Sequence, residues 1–448
     1  MRARLDYPKG VAYIVATEAA ERFSYYGMRS ILTIFLVSQF FNPASDPALQ
    51  AAAEAAANER THLFVSLAYF MPVIGAILAD GFFGRYRVIL ALSLVYCLGH
   101  LCLALFDSSL DGFSLGLLLL AAGAGGIKAN VSAFVGSQFE GRLDALGRSD
   151  LMARAYGWFY FSINAGAVLS MASVPWLLQH AGPQVAFGVP GLFMLLATWV
   201  FWSGRHHYRH EPLPKGLRGM DWGQLRRDLR ASLRVLLVFA FIPAFWALWD
   251  QSQSEWVLQA ARLDLELLPG VTLLPAQIQL SNPVLVLLLI PLFTYRIYPF
   301  VRSLGVEPTP LRRIAVGLLL TALSFVVIAW LQGLVDAGQR PSGWWQILAY
   351  AILTMGEVMV YITGLEYAYT QAPLRLKSVL TAAWLLTVSI GNLAVSLINA
   401  SIVDGGFFAQ YTGAAYYWLF VRIMLVVALA FILTTAWLAR RDARRLRA

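Results

Sequence analysis

Charged side chains inside strongly apolar runs are the residues of this sequence whose types and spacing could do chemistry. The first run carries four of them on one stripe of a predicted helix, with a tyrosine beside them: Glu18, Glu21, Arg22, Tyr25 and Arg29. A charge buried in an apolar environment is costly unless it is paired, so such groups normally face a cavity and have partners. The stripe therefore predicts a polar interior, although local pairing of Glu18 and Glu21 with Arg22 could also be purely structural.

Later apolar runs carry single ionisable groups on different predicted helices. They are His62, Lys128, Asp250 and Glu357. With the first stripe they amount to three cations and four anions, and a protonated histidine can supply the balancing charge. A nearly neutral set can exist as buried pairs, and a proton or a charged solute can exchange those pairs.

The elements that must position these groups follow from the composition. The chain has 448 residues, of which 59% are hydrophobic and 13% charged, whereas a soluble chain would carry about a quarter charged residues. A helix needs roughly 20 residues to cross a bilayer core. Twelve apolar runs are long enough, at 11–40, 62–82, 86–106, 113–138, 153–180, 185–203, 235–261, 275–300, 311–333, 343–370, 376–402 and 415–439. We therefore predict an all-α membrane protein that crosses the lipid bilayer twelve times.

The loops between these runs differ in charge. Of the 34 Lys and Arg residues, 27 fall in the tails and alternate loops. The opposite loops hold only Arg60, Arg262 and Arg340. Because cytoplasmic loops are rich in Lys and Arg, both termini are expected in the cytoplasm. The basic interval 205–234 predicts a cytoplasmic linker between six-helix bundles at 1–204 and 235–448. Within it, Met220–Ser232 could be a basic helix on the membrane surface or a solvated tether.

Several function classes are excluded by the same composition. The longest polar interval is shorter than the ~50 residues of a small folded domain, so we expect no soluble catalytic domain and no enzyme. The net charge of +9 arises in short loops and indicates topology rather than nucleic-acid binding. Cys97 and Cys102 are the only cysteines and share one apolar run, so we assign no metal site.

Long motifs along the chain resemble one family. Glu18–Gly27 reads EAAERFSYYG and looks like the ExxERFxYYG signature of the proton-dependent oligopeptide transporters. Phe159–Gly166 resembles that family's FYxxINxG signature, and Gly75–Arg87 resembles a loop signature of the major facilitator superfamily. Three further stretches resemble the animal peptide carriers, namely Phe245–Ala260, Gly356–Pro373 and Leu376–Asn392. The sequence is therefore identified as a member of the oligopeptide transporter family, with the major facilitator fold.

The resemblance implies a peptide site whose two ends carry opposite charge. Arg29 and Lys128 resemble the cations that receive the peptide carboxylate. Glu357, with Asn164 and Asn282, resembles the pocket for the peptide amine. The aromatic residues that match the cavity wall are Tyr25, Tyr26, Tyr69, Trp246 and Trp384.

The resemblance also implies proton coupling and gating. His62 matches a histidine that animal members tie to proton binding, and Asp250 matches a titratable acid. Glu18, Glu21 and Arg22 belong to the proton-coupling signature. Two pairings between the halves are implied as gates, Arg29 with Asp250 and Lys128 with Glu357.

The expected function is a proton-coupled symporter that imports di- and tripeptides by alternating access across the plasma (bacterial inner) membrane. A peptide is a zwitterion, so its site needs a cation and an anion at a fixed spacing, and aromatic walls accept many side chains. We expect a monomer with no cofactor besides the coupling protons. The alternatives are a peptide receptor without transport, a carrier of another small anion such as nitrate, and a membrane-embedded hydrolase.

Overall fold

Long helices make up most of the part of the chain that the structure describes, as predicted for an all-α protein. The computed structural model describes residues 8–42, 47–139, 145–209, 223, 226–227, 232–364, 366–367 and 377–445. Most of the predicted linker 205–234 lies outside these residues, and so does most of Met220–Ser232 with its two interpretations.

The helices of the first half follow one another through short connections. They are α1 (Lys9–Gln39), α2 (Pro47–Leu78), α3 (Arg85–Leu105), α4 (Leu110–Ile127), α5 (Asn130–Ser137), α6 (Ala145–Ala181) and α7 (Pro183–Ser203). A five-residue π-helical turn, Ala79–Phe83, continues α2. Ser109 caps α4, because its hydroxyl accepts a hydrogen bond from the backbone N–H of Gly112 at 3.3 Å.

The second half contains more interrupted helices and one small hairpin. Its helices are α8 (Leu233–Phe239), α9 (Ile242–Trp249), α10 (Glu255–Ala260), α11 (Ser281–Leu292), α12 (Tyr298–Ser303), α13 (Pro310–Asp336), α14 (Trp344–Glu357), α15 (Lys377–Val403) and α16 (Ala414–Arg445). The strands β1 (Glu266–Leu268) and β2 (Val271–Thr272) pair antiparallel. The predicted span 235–261 thus comprises three helices, and the hairpin was not predicted.

Eleven segments within the described residues are long and apolar enough to cross a membrane. They are Leu49–Phe83, Arg85–Leu105, Leu110–Ser137, Ala155–Ala181, Pro183–His206, Leu233–Ala260, Pro275–Ser303, Pro310–Asp336, Trp344–Ile362, Leu380–Val403 and Ala414–Arg440. The predicted first span, α1, is not among them, because its charged residues lower its hydropathy. Its 31 residues are nevertheless long enough, at about 46 Å for a rise of 1.5 Å per residue. The chain is a multi-pass membrane protein, and the twelfth span stays a prediction.

Helix α2 begins well before the predicted span 62–82. It starts at Pro47, and its first turns read PALQAAAEAAANER. Alanine, glutamate and glutamine favour helix, so this stretch is helical although its hydropathy is low. Proline at the first helical position suits such a start, because its missing N–H would have no helical partner there.

The chain divides into two compact units, which are described separately. The first unit comprises Met1–Phe35 and Phe64–Asp221, and the second comprises Leu36–Leu63 and Trp222–Ala448. Within the first unit α3 packs against α4 and α7, and within the second α13 packs against α14 and α16. Both α1 and α2 pass from one unit to the other, so His62 is described with the second unit. The predicted domain boundaries stay a prediction.

Candidate functional site

The charged stripe on α1 forms a compact ion cluster in the first unit. Arg22 Nε lies 3.1 Å from Glu18 Oε1 and 2.5 Å from Glu21 Oε2. A second guanidinium nitrogen of Arg22 also contacts Glu21. All three side chains are buried. The local pairing within one helical turn that the sequence allowed is therefore present, with two carboxylates on one guanidinium.

Lys128 lies at the C-terminal end of α4, among tyrosines of the first unit. Its Nζ lies 3.9 Å from the ring centroid of Tyr25 and 3.7 Å from that of Tyr69. Tyr26 packs edge-on against Tyr25, with ring centroids 5.4 Å apart. A cation over an aromatic ring is attracted by the negative face of the ring. The structure thus brings together four residues that the sequence predicted for the peptide site.

The first unit also contains two other residues predicted for the peptide site, Arg29 and Asn164. Arg29 is buried on α1, two turns beyond Arg22. Asn164 lies on α6, and its amide donates to the carbonyl of Tyr160 at 2.9 Å. That bond uses one N–H of the amide within its own helix, and the amine-binding role of Asn164 remains a prediction.

Glu357 ends α14 in the second unit and is oriented by two donors. The Asn282 amide donates to Glu357 Oε2 at 2.7 Å, and the indole N–H of Trp249 donates to the same oxygen at 2.9 Å. The Asn282 amide also donates to the hydroxyl of Thr354 at 3.2 Å. Within the described part of the chain, Oε1 has no hydrogen-bond partner, so it can accept from a ligand.

Aromatic side chains surround this part of the second unit. The Trp246 ring lies edge-on to the rings of Trp249 and Tyr361, with centroids 5.6 and 5.9 Å away. Trp384 adds a further ring, 6.3 Å from Trp246 and 5.9 Å from Tyr361. Trp246 and Trp384 therefore lie close together, and their role in an aromatic wall stays a prediction; edge-to-face packing keeps such rings in fixed orientations.

His62, Asn392 and Asp250 form a buried hydrogen-bonded chain. His62 Nδ1 lies 2.7 Å from Asn392 Oδ1, and Asn392 Nδ2 donates to Asp250 Oδ2 at 2.6 Å. Nδ2 also donates to the carbonyl of Val388 at 3.0 Å, so both contacts require the amide nitrogen on that side. The amide oxygen therefore faces His62, and Nδ1 must carry a hydrogen. His62 Nε2 then lies 2.9 Å from the Ser254 hydroxyl and can accept a hydrogen bond from it.

The helices bend away from regular geometry beside these acids. Asp250–Gln253 is a 3₁₀ turn between α9 and α10, and Ser254 has φ −136° and ψ −81°. A π-helical turn, Val358–Ile362, follows Glu357 directly. Such turns within a long helix often mark hinges or functional positions. They explain why the predicted spans 235–261 and 343–370 are interrupted at their ionisable residues.

A second ionic group in the second unit joins the first turns of α2 to the end of α10. Arg262 pairs with Glu54, and the Asn58 amide donates to Glu255. Glu54, Glu255 and Arg262 line one cavity of about 550 Å³, together with Gln259 and others. Burial disfavours the charged guanidinium of Arg262, but Glu54, Tyr417 and Glu255 together raise its pKa above the ordinary value.

Exchanging the charges of Glu54 and Arg262 tests how much this ion pair contributes to stability. Either Glu54→Arg or Arg262→Glu is expected to lower the temperature of thermal unfolding, because each leaves two like charges in contact. The double exchange restores the opposite charges and should recover most of the loss. Arg302→Glu is the control, since Arg302 and Glu307 are exposed by 54% and 73% and such pairs contribute little. No recovery in the double variant would contradict a direct interaction.

Three residues that contact predicted site residues were not predicted from the sequence. Trp249 orients Glu357, while Asn392 and Ser254 contact the two ring nitrogens of His62. Each lies in a motif that resembled the family, and a polar Asn within an apolar run was an available signal. The predicted gate pairs, Arg29 with Asp250 and Lys128 with Glu357, join residues of different units and stay predictions.

Comparison with known proteins gives consistent matches along the chain. Residues 86–221 and 219–419 match the model of the POT family. The human solute carrier family 15 member 2 is 35% identical over 411 residues, which cover 81% of this chain and 54% of that protein. The chain thus spans about half the length of the curated relatives it matches.

Solved structures match over nearly the whole chain. A crystal structure of an auto-inhibited POT family peptide transporter has a TM-score of 0.86 and 34% identity, covering 96% of this chain and 97% of that one. A crystal structure of a proton dependent oligopeptide (POT) family transporter has a TM-score of 0.80 and 36% identity, covering 94% of this chain and 100% of that one.

Proposed function

Because this chain belongs to the POT family, we propose that it is a proton-coupled symporter that imports di- and tripeptides by alternating access. The observation that carries the proposal is Glu357, whose Oε2 accepts from Asn282 and Trp249 while Oε1 is available to a ligand. A carboxylate oriented in this way among aromatic rings suits an ammonium group.

The peptide binds through its two charged ends in this proposal. Its amine pairs with Glu357, and its carboxylate pairs with Arg29 and Lys128. Asn164 and Asn282 contribute amide groups, and the aromatic residues hold side chains by apolar contact. The residues proposed for that wall are Tyr25, Tyr26, Tyr69, Trp246 and Trp384. Since the backbone ends carry most of the recognition, many side chains are accepted.

Proton coupling uses groups of both units. His62 Nε2 and Asp250 take up protons from the more acidic side, and Glu21 does so within its cluster with Glu18 and Arg22. Protonation of Asp250 weakens its attraction for Arg29 and frees that cation for the peptide. Proton release restores this pair and the pair of Lys128 with Glu357. The membrane potential supplies about 2.3 kcal/mol per charge per 100 mV.

The membrane topology is part of the same proposal. Adding α1 to the eleven apolar segments gives twelve spans. The asymmetry of Lys and Arg between loops supports cytoplasmic termini and a cytoplasmic linker at 205–234. The bundles are 1–204 and 235–448. The protein acts as a monomer in the bacterial inner membrane, with protons as the coupling ion and no other cofactor.

Peptides with blocked ends test whether the site recognises both charged ends of the peptide. Dialanine should compete for counterflow of labelled dialanine, whereas N-acetyl-dialanine and dialanine amide should each compete at least about tenfold less well. Each lacks one charge, and a hydrogen bond to a charged group contributes about 1.5–3 kcal/mol. Equal competition by all three would show that neither charged end is recognised and would exclude the proposed roles of Glu357, Arg29 and Lys128.

A further inference from the structure

A buried polar contact between α1 and α3 has no part in the proposed proton route. Ser24, one turn beyond Glu21, lies with its hydroxyl 2.6 Å from His100 Nε2. Tyr96 precedes His100 by one turn of α3, and their rings lie 5.2 Å apart. All these side chains are buried, with exposures of at most 1%. One face of α3 therefore presents two ionisable groups, Tyr96 and His100, to α1.

Among the polar atoms of this region, Oε1 of Glu21 and the hydroxyl of Tyr96 have no hydrogen-bond partner within the described residues. Both contacts between Arg22 and Glu21 involve the other carboxylate oxygen of Glu21, Oε2. Tyr96 interacts electrostatically with Glu21, Tyr25 and Arg22. Burying a polar group without a partner generally costs several kcal/mol. The presence of two such groups, on Glu21 and Tyr96, in one buried region therefore needs an explanation.

The position of α3 leaves little freedom for these side chains. A Cβ at Gly123 of α4 would lie 2.6 Å from Tyr96 Cβ, and one at Gly191 of α7 would lie 2.9 Å from His100 Cβ. Glycine at both positions therefore allows α4 and α7 to pack directly on these residues. With the Ser24–His100 contact, α3 is held from three helices.

We propose that Tyr96 is the hydrogen-bonding partner of Glu21 during the proton cycle, and that Ser24 and His100 are positioning residues that hold α3 for it. A phenol can donate to an ionised carboxylate and, after rotation of its hydroxyl, accept from the protonated acid. Tyr96 keeps its own proton throughout. The inference rests on the proposed proton-coupled function and adds a residue of α3 to it.

Several charged and titratable residues surround Glu21 and Tyr96. Within the described residues, the titratable and charged groups of α1, α2, α3 and α4 near this region include Glu18, Arg22, Tyr25, Tyr26, Tyr69, Cys97 and Lys128. The cations already contact other groups, namely both carboxylates for Arg22 and tyrosine rings for Lys128. The neutral hydroxyl of Tyr96 can change from donor to acceptor when Glu21 is protonated, and no further charged side chain has to move.

The test is the pH dependence of proton-driven dialanine uptake by Tyr96→Phe in proteoliposomes. The pH of half-maximal uptake is expected to rise by about one unit, because a hydrogen bond to an ionised group is roughly twice as strong as a neutral one. Counterflow at equal pH on both sides should stay within about twofold of wild type. Ser24→Ala should shift the profile in the same direction, by less.

Matched controls separate this effect from lost packing. Tyr156→Phe removes a hydroxyl bonded to the carbonyl of Ser132, and Ser170→Ala removes one bonded to the carbonyl of Ala167. Both should keep the wild-type pH profile. If Tyr96→Phe does not fold, Ser24→Ala decides the question alone. Wild-type profiles in both Tyr96→Phe and Ser24→Ala would overturn the inference, whereas absence of transport by wild-type protein would overturn the proposed function and this inference with it.

Discussion

Replacing Glu357 with Gln is expected to reduce proton-driven uptake of dialanine by at least about tenfold and to weaken competition by dialanine to a similar extent. Glutamine keeps the size of the side chain, and its carbonyl can still accept from Asn282 and Trp249. It has no negative charge for the peptide amine, and it cannot take up a proton. Both peptide binding and coupling should therefore suffer.

The control for this variant removes an acidic group that has no place in the site. Glu307→Gln changes a side chain that is 73% exposed and paired with Arg302, so transport should be unchanged. Wild-type uptake by Glu357→Gln, with the protein folded, would show that the charge of Glu357 is not required. Lost uptake with unchanged competition would confine Glu357 to the coupling step.

Replacing Asn392 with Leu is the variant with the second large expected effect. Gradient-driven accumulation should fall at least about tenfold, because a hydrogen bond that orients a charged group contributes about 1.5–3 kcal/mol and this amide makes one on each side. Counterflow at equal pH should stay within about threefold, since exchange of peptide needs no net proton transfer. The measurement is accumulation against counterflow in the same proteoliposomes.

Asn399→Leu provides the comparison on the same helix. Asn399 is also buried, and its amide donates to the carbonyl of Val395 and the hydroxyl of Tyr416. Its loss affects packing of α15 but not the His62 chain, so any defect should appear in yield or thermal stability rather than in coupling. Equal loss of coupling in both variants would identify a packing effect and argue against the proton role of His62.

The fold was largely predictable because hydropathy is a local property. Runs of about 20 apolar residues and the distribution of Lys and Arg need no knowledge of distant contacts. The start of α2 was misjudged by fifteen positions, at Pro47 rather than 62, because its alanine-rich turns are helical without being strongly apolar. The hairpin of β1 and β2 was missed, since its short strands carry no clear alternation.

The site was only partly predictable because hydrogen-bond partners depend on tertiary packing. Ionisable residues in apolar runs pointed to Glu357, His62 and Asp250. Their orientation by Trp249 and Asn392 depends on residues far away in sequence. No pattern within a single helix indicates which indole N–H or amide will reach a given carboxylate.

Irregular backbone was equally invisible to periodicity. The 3₁₀ turn at Asp250–Gln253 and the π-helical turn after Glu357 leave the apolar pattern unchanged. Proline explains neither, because both turns lack it. Such departures cost backbone hydrogen bonds that neighbouring side chains must replace, and these neighbours are known only from the folded structure.

The most direct test of proton-coupled peptide transport is uptake of labelled dialanine by the purified chain in proteoliposomes, with and without an inward proton gradient, together with counterflow at equal pH. We predict accumulation only with the gradient and counterflow without it. Counterflow with accumulation that does not depend on the gradient would contradict proton coupling. Absence of both signals from folded protein would contradict transport of peptides altogether.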